Sequence, residues 1–196
     1  MALCTPITAD IAFDCTAPSE SGVKARVIVI NYEDWKAATI TVDAGTNEID
    51  LITLAAGGTE AFEIQVPEPK HIIATDPLVI VGGVNGYRPQ VQLSVNSISQ
   101  ANYEQIASTR FGKVVVIVEL IEGRSILYGG WADATPEPSG VGMRLIEYPG
   151  NNLGDPDLGG VMQFTWGSSD TEPVNYMPAH LIASSFDIDT LLTPTA

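Results

Sequence analysis

Cysteine and histidine are scarce, with two of each in 196 residues. Cys4 and Cys15 are too few for a metal quartet and form no C-x-x-C pair. They read as small, buried or half-buried residues in a reducing compartment. His71 and His180 sit in no H-E-x-x-H or carboxylate cluster, and no G-x-S-x-G elbow occurs. Each histidine therefore reads as structural or surface-lying. Long apolar runs are also missing. The longest centres on Val114–Val118, far short of the ~20 residues that span a bilayer, so no membrane span is expected. The opening MALCTPITADIAFDC has no Lys or Arg and no sustained apolar stretch, unlike a secretory signal. Cys4 after Ala-Leu echoes a lipoprotein box, but no hydrophobic segment precedes it.

Positive charge is the other shortage. Nine Lys and Arg face 24 Asp and Glu, for a net charge of −15. From Leu145 onward there is no cation at all, while Glu147, Asp155, Asp157, Asp170, Glu172, Asp187 and Asp189 all fall there. Tight nucleic-acid binding needs cations to displace counterions, so this composition speaks against a conventional nucleic-acid binder. Aromatic residues make up 7%, and Trp35, Trp131 and Trp166 are scattered. The carboxylates Glu60, Glu63 and Glu68 thus lack the stacking surfaces that a glycosidase pair would use.

One acidic stretch invites a metal. Asp155-Pro-Asp157-Leu-Gly159 has the D-x-D-x-G spacing that opens a calcium loop. The remaining ligands are absent: Gly159 stands at position 5 and Trp166 at position 12, where the loop needs acids. The stretch reads as a turn, with Gly159-Gly160 admitting positive φ, that launches the strand Val161–Trp166. Val81–Tyr87, VGGVNGY, lacks the phosphate-cradle spacing and reads as a hairpin turning at Asn85-Gly86. No catalytic, cofactor-binding or metal-binding residue is expected, and the chain does not read as an enzyme.

What is present is alternation. Phe62, Ile64 and Val66 alternate with Glu63 and Gln65; Val91, Leu93 and Val95 with Gln92 and Ser94; Ile40 and Val42 with Thr39 and Thr41. Met162, Phe164 and Trp166 oppose Gln163 and Thr165, which should face solvent. Each is a strand with one wet face. Val23–Ile30 and Lys113–Ile121 are β-branched on both faces and read as central strands. SILYGGW and VGMRLIEYP supply two more. Ser97–Gly112 breaks the pattern. It opens on a capping-box spacing, Ser97 to Gln100, and Gly112 can end it. Tyr103, Ile106, Ala107 and Phe111 recur at helical intervals, with Ile106 and Phe111 facing the core. The expectation is a mainly β chain, a β-sandwich or partly closed barrel, with one mid-chain helix at about 97–111. It comprises an N-terminal arm (1–22), a core (23–174) and a C-terminal arm (175–196), all one domain.

This arrangement, with LYGGW, then GMRLIEYPGN, then DLGGVMQFTWGSSDTEPV, resembles the tail-tube proteins of tailed bacteriophages, in particular virion proteins from phages of Bacteroidota. The resemblance covers roughly Val23 to Val174. It implies a structural virion subunit, assembled in the host cytoplasm into stacked hexameric rings. An acidic lumen would pass genomic DNA without gripping it. The partners implied are further copies of the chain and other tail or neck proteins, with no membrane. A neck, tail-terminator or capsid-decorating protein has the same texture, and so does a β-sandwich module binding carbohydrate or protein. A hairpin reaching the next ring would be Asp43–Glu60 or the N-terminal arm.

Overall fold

β-Branched residues on both faces of a strand call for cover on both faces, and the main sheet is built around two such strands. The structure, a computed structural model, describes residues 22–55, 61–81, 84–95, 100–132, 138–147, 162–168, 174–175 and 177–192. Strand β1 (Val23–Asn31) runs into helix α1 (Tyr32–Ala37), then β2 (Thr39–Val42), β3 (Ile49–Thr53) and β4 (Phe62–Gln65). After a 3-10 turn at Pro69–His71 come β5 (Ile72–Thr75), β6 (Leu78–Val81), β7 (Val84–Tyr87) and β8 (Gln90–Val95). Helix α2 (Gln100–Ser108) precedes β9 (Val114–Leu120), β10 (Ser125–Tyr128), β11 (Gly130–Trp131) and β12 (Ser139–Gly140). The rest is β13 (Arg144–Glu147), β14 (Met162–Gly167), β15 (His180–Ile182) and a 3-10 helix at Ile188–Leu192.

Seven strands form the main sheet in the order β2-β3-β15-β10-β9-β1-β4. Four form a second sheet, β13-β14-β8-β5, and β6-β7 and β11-β12 are separate ribbons. Successive residues of β1 and β9 feed two different cores. Ile28, Ile30, Val115 and Ile117 join Trp35, Ile182, Phe186, Ile188 and Leu191 on one face. Val27, Val29, Val114, Val116 and Val118 meet Val91, Leu93, Phe164 and Trp166 of the second sheet on the other. Strands make up 53% of the described residues and their sheets do not close into a barrel, so the fold is mainly β and sandwich-like.

Several expectations need correction. There are two short helices among the described residues. Among the described residues the second covers 100–108 and ends short of 111; residues 97–99, with Ser97, lie outside the described residues. Beyond Ser108 the chain tightens: the Thr109, Arg110 and Phe111 N–H groups each reach back three residues. Such turns advance further per residue than an α-helix. Ile106 is 8% exposed while Phe111 is 82% exposed, so Phe111 is not core-facing as expected: five residues at 3.6 per turn already place the two side chains well apart around the axis. Met162, Phe164 and Trp166 are buried, and so is Thr165. It lies between Gln92 and Glu147 in the sheet, with its hydroxyl 3.4 Å from the Glu147 carboxylate, so that face is not simply wet. On edge strand β4, Phe62 stays exposed although Val66 is buried.

The hairpin turns between Val81 and Val84, not at Asn85-Gly86, which lie inside β7 opposite Ile80 and Val79. Gly86 is there for clearance: a Cβ would sit 2.2 Å from Val174 Cγ2. Nor is 175–192 an arm. Asn175 bridges to Tyr87, β15 lies between β3 and β10, and Ile188 and Leu191 are buried. Residues 1–21 and 193–196, with Cys4 and Cys15, lie outside the described residues.

Candidate interaction surfaces

The second sheet covers the main sheet only in part. Ile40, Ile52, Ile49 and Ile182 all point into the same core. The pleat therefore sends their neighbours to the opposite face. Thr39 pairs with Thr53 and Thr41 with Leu51, and all four are exposed. Leu181, beside Ile182, is exposed too. These five residues carry no charge; the one acid of β2, β3 and β15 is half-buried Asp50, next to Ile49. Among the described residues both ends of the main sheet are open edges, β2 with the sequence TITV and β4 with FEIQ. Natural edges are commonly blunted with lysine or other charge; β2 has none. The β6-β7 hairpin is apolar as well, with Leu78 61% and Ile80 73% exposed on one face.

The described cations are mostly committed to fixing the fold. Glu119, a buried acid on β9, accepts hydrogen bonds from Lys24 and from Arg26 Nε, the latter at 2.7 Å. Arg26 also donates to Asp189 at 2.8 Å. The hydrogen bond to Glu119 holds the Arg26 guanidinium above its already high pKa, although burial opposes it. The group ties strands β1 and β9 to the C-terminal 3-10 helix. Glu63 lies at the rim of this group, 3.6 Å from Arg26. His180 is buried, with Nε2 2.8 Å from the Asn47 carbonyl; His71 is half-buried beside β5. Among the described residues no group of three or more His, Cys, Asp and Glu could hold a metal. Asp155, Asp157, Gly159 and Glu60 lie outside the described residues.

A cleft of about 360 Å³ opens where α1, β11 and β12 meet Val174 and Asn175. Its walls include Tyr32, Lys36, Trp131 and Ser139. The segment behind it is hydrogen-bonded residue by residue. Trp35 Nε1 donates to the Ser139 carbonyl at 3.0 Å and the Tyr32 hydroxyl to the Gly140 carbonyl at 2.6 Å. Lys113 donates to the Val141 carbonyl at 2.7 Å, and the Val141 N–H to Asn175 Oδ1 at 2.9 Å. The floor depends on Gly130, where a Cβ would sit 2.8 Å from the Trp35 ring. Burial pushes the Tyr32 hydroxyl pKa up. Sequence spacing could not reveal this cleft, since its residues come from four separate stretches.

Compared with known proteins, the chain matches no family model, no curated protein and no solved structure. No helix among the described residues is long and apolar enough to cross a membrane.

Proposed function

We propose that this chain is a structural subunit that builds assemblies of its own copies, and that the assembly is a bacteriophage tail tube. The observation that carries this reading is the uncharged Thr39, Thr41, Leu51, Thr53 and Leu181 face next to open edge β2. Copies that each carry −15 repel one another, so a lateral contact belongs where charge is absent. Joining β2 of one copy to β4 of the next links different surfaces, a head-to-tail contact of the kind that gives a ring when the rotation between copies closes. Such a contact also removes both exposed edges. Exposed Leu78 and Ile80 of β6 supply the contact between stacked rings in this reading. The acidic surplus makes the ring wall repel phosphates, so DNA slides without sticking.

Negative-stain microscopy and light scattering of the purified chain test it. Stacked rings or tubes are expected, and Thr41→Lys should leave a folded monomer. Single rings that never stack would favour a neck or terminator role. A wild-type chain that stays monomeric at high concentration and high salt would overturn the self-assembly reading.

A further inference from the structure

We propose that the cleft between α1 and β12 binds an uncharged saccharide, with Trp131 as its stacking wall. This inference is independent of the tail-tube reading. Of the three tryptophans, Trp35 and Trp166 are 0% and 1% exposed and belong to the cores. Trp131 alone is placed to meet a ligand, half-buried in the cleft wall alongside Tyr32. The Tyr32 ring is held in place by its hydroxyl bond to Gly140 and is covered by the Lys36 and Lys113 ammonium groups, 5.2 and 5.8 Å from its centroid. A volume of about 360 Å³ lies at the small end of ligand clefts, room for a compact ligand rather than a chain.

The polar groups narrow the class. A peptide that adds a strand needs free backbone partners along the receiving edge. Here the Ser139, Gly140 and Val141 carbonyls and the Val141 N–H are already bonded to Trp35, Tyr32, Lys113 and Asn175. What remains for a ligand is side-chain chemistry. Asn175 gives its oxygen to Val141 and is itself buried, so the ligand chemistry falls to the Ser139 hydroxyl, which both donates and accepts. Lys36 on the rim is paired with Glu33 at 2.6 Å, so together they offer a donor and an acceptor with little net charge. Aromatic faces are electron-rich and attract the C–H face of a sugar ring, while such paired donors and acceptors suit hydroxyl groups. The −15 charge of the chain disfavours an anionic sugar at long range.

Because Trp131 is the tryptophan outside the cores, its fluorescence reports on the cleft. The purified chain is screened on a glycan array and then titrated with neutral trisaccharides of β-1,4-linked glucose, α-1,4-linked glucose and β-1,4-linked N-acetylglucosamine. A β-1,4-galacturonate trisaccharide and an acidic peptide complete the panel. The expected result is saturable binding of a neutral sugar, with a shift in Trp131 emission and protection from acrylamide quenching. Trp131→Phe keeps an aromatic wall and should retain binding by calorimetry. Trp131→Leu keeps bulk without the π face and should weaken binding about tenfold, equivalent to ~1.4 kcal/mol, with an unchanged melting temperature. Binding that survives Trp131→Leu, binding only of the peptide or the acidic sugar, or no saturable binding would each overturn the proposal. Assembly of the chain has no bearing on these outcomes.

Discussion

Asp76 shows burial and anchoring pulling one side chain in opposite directions. Its Oδ2 accepts the Ala179 N–H at 2.6 Å, which holds the C-terminal stretch beside the start of β6. Burial nevertheless pushes its carboxyl pKa above the ordinary value, outweighing that hydrogen bond, and its charge helps push the buried Tyr128 hydroxyl up in turn. The folded chain therefore holds the Asp76 proton more tightly than the unfolded chain does. Its contribution to stability falls as pH rises from the unfolded value through the folded one, and stays low above that. Asp76→Asn keeps an oxygen for Ala179 and removes the charge. The variant should match or exceed the parent's melting temperature at about pH 7, and its advantage should shrink as pH falls toward about 4. An advantage that grows on acidification would contradict this sign. A second pair of residues separates helix phase from burial. Ile106→Ala should cost roughly 2–5 kcal/mol in denaturant unfolding, because its side chain packs in the inter-sheet core. Phe111→Ala should lie within about 0.5 kcal/mol of the parent, since the ring stands in solvent beneath the Arg110 guanidinium.

Elements differ in how much of themselves they write into the sequence. Strands β8 and β14 were legible because Val91, Leu93 and Val95, and Met162, Phe164 and Trp166, alternate cleanly and all reach the core. The central position of β1 and β9 was legible because only a strand covered twice can be β-branched on both faces. Helix α1 was not legible. It has six residues and buries only Trp35, too short for a periodicity to register. Strand β15 has three residues, one of them exposed Leu181 between buried His180 and Ile182, and its place in the sheet depends on distant partners. Asn85-Gly86 carries a strong turn signal, but at Gly86 the glycine serves close packing instead. The cleft was illegible because tertiary pairing alone gathers it. Strand β14 offers a test of burial within one element. Gln163→Lys, at a half-buried position, should cost less than about 0.5 kcal/mol. Thr165→Lys buries a charge beside β13 and should cost about 1–3 kcal/mol. Equal costs in urea unfolding would mean that both positions are equally wet.

For the whole molecule, charge governs association. If copies meet through the uncharged face of β2, β3 and β15, the opposing term is the repulsion of the remaining −15 surfaces. Raising ionic strength from ~0.02 M to ~0.5 M shortens the screening length severalfold. The assembled fraction by sedimentation should rise with it; a fall would mean that attractive ion pairs hold the copies together. The place of β15 has a different kind of consequence. It is the last strand among the described residues, yet it sits between β3 and β10, pairing parallel with the first and antiparallel with the second. Until it emerges from the ribosome, β2 and β3 have no strand to join them to β10, β9, β1 and β4. A nascent chain thus carries two unfinished half-sheets, with three of the isoleucine positions of one core still awaiting Ile182. Completion is vectorial: the main sheet closes only once β15 has been made, and a ribosome stalled before His180 would expose the gap to chaperones or to a second nascent chain.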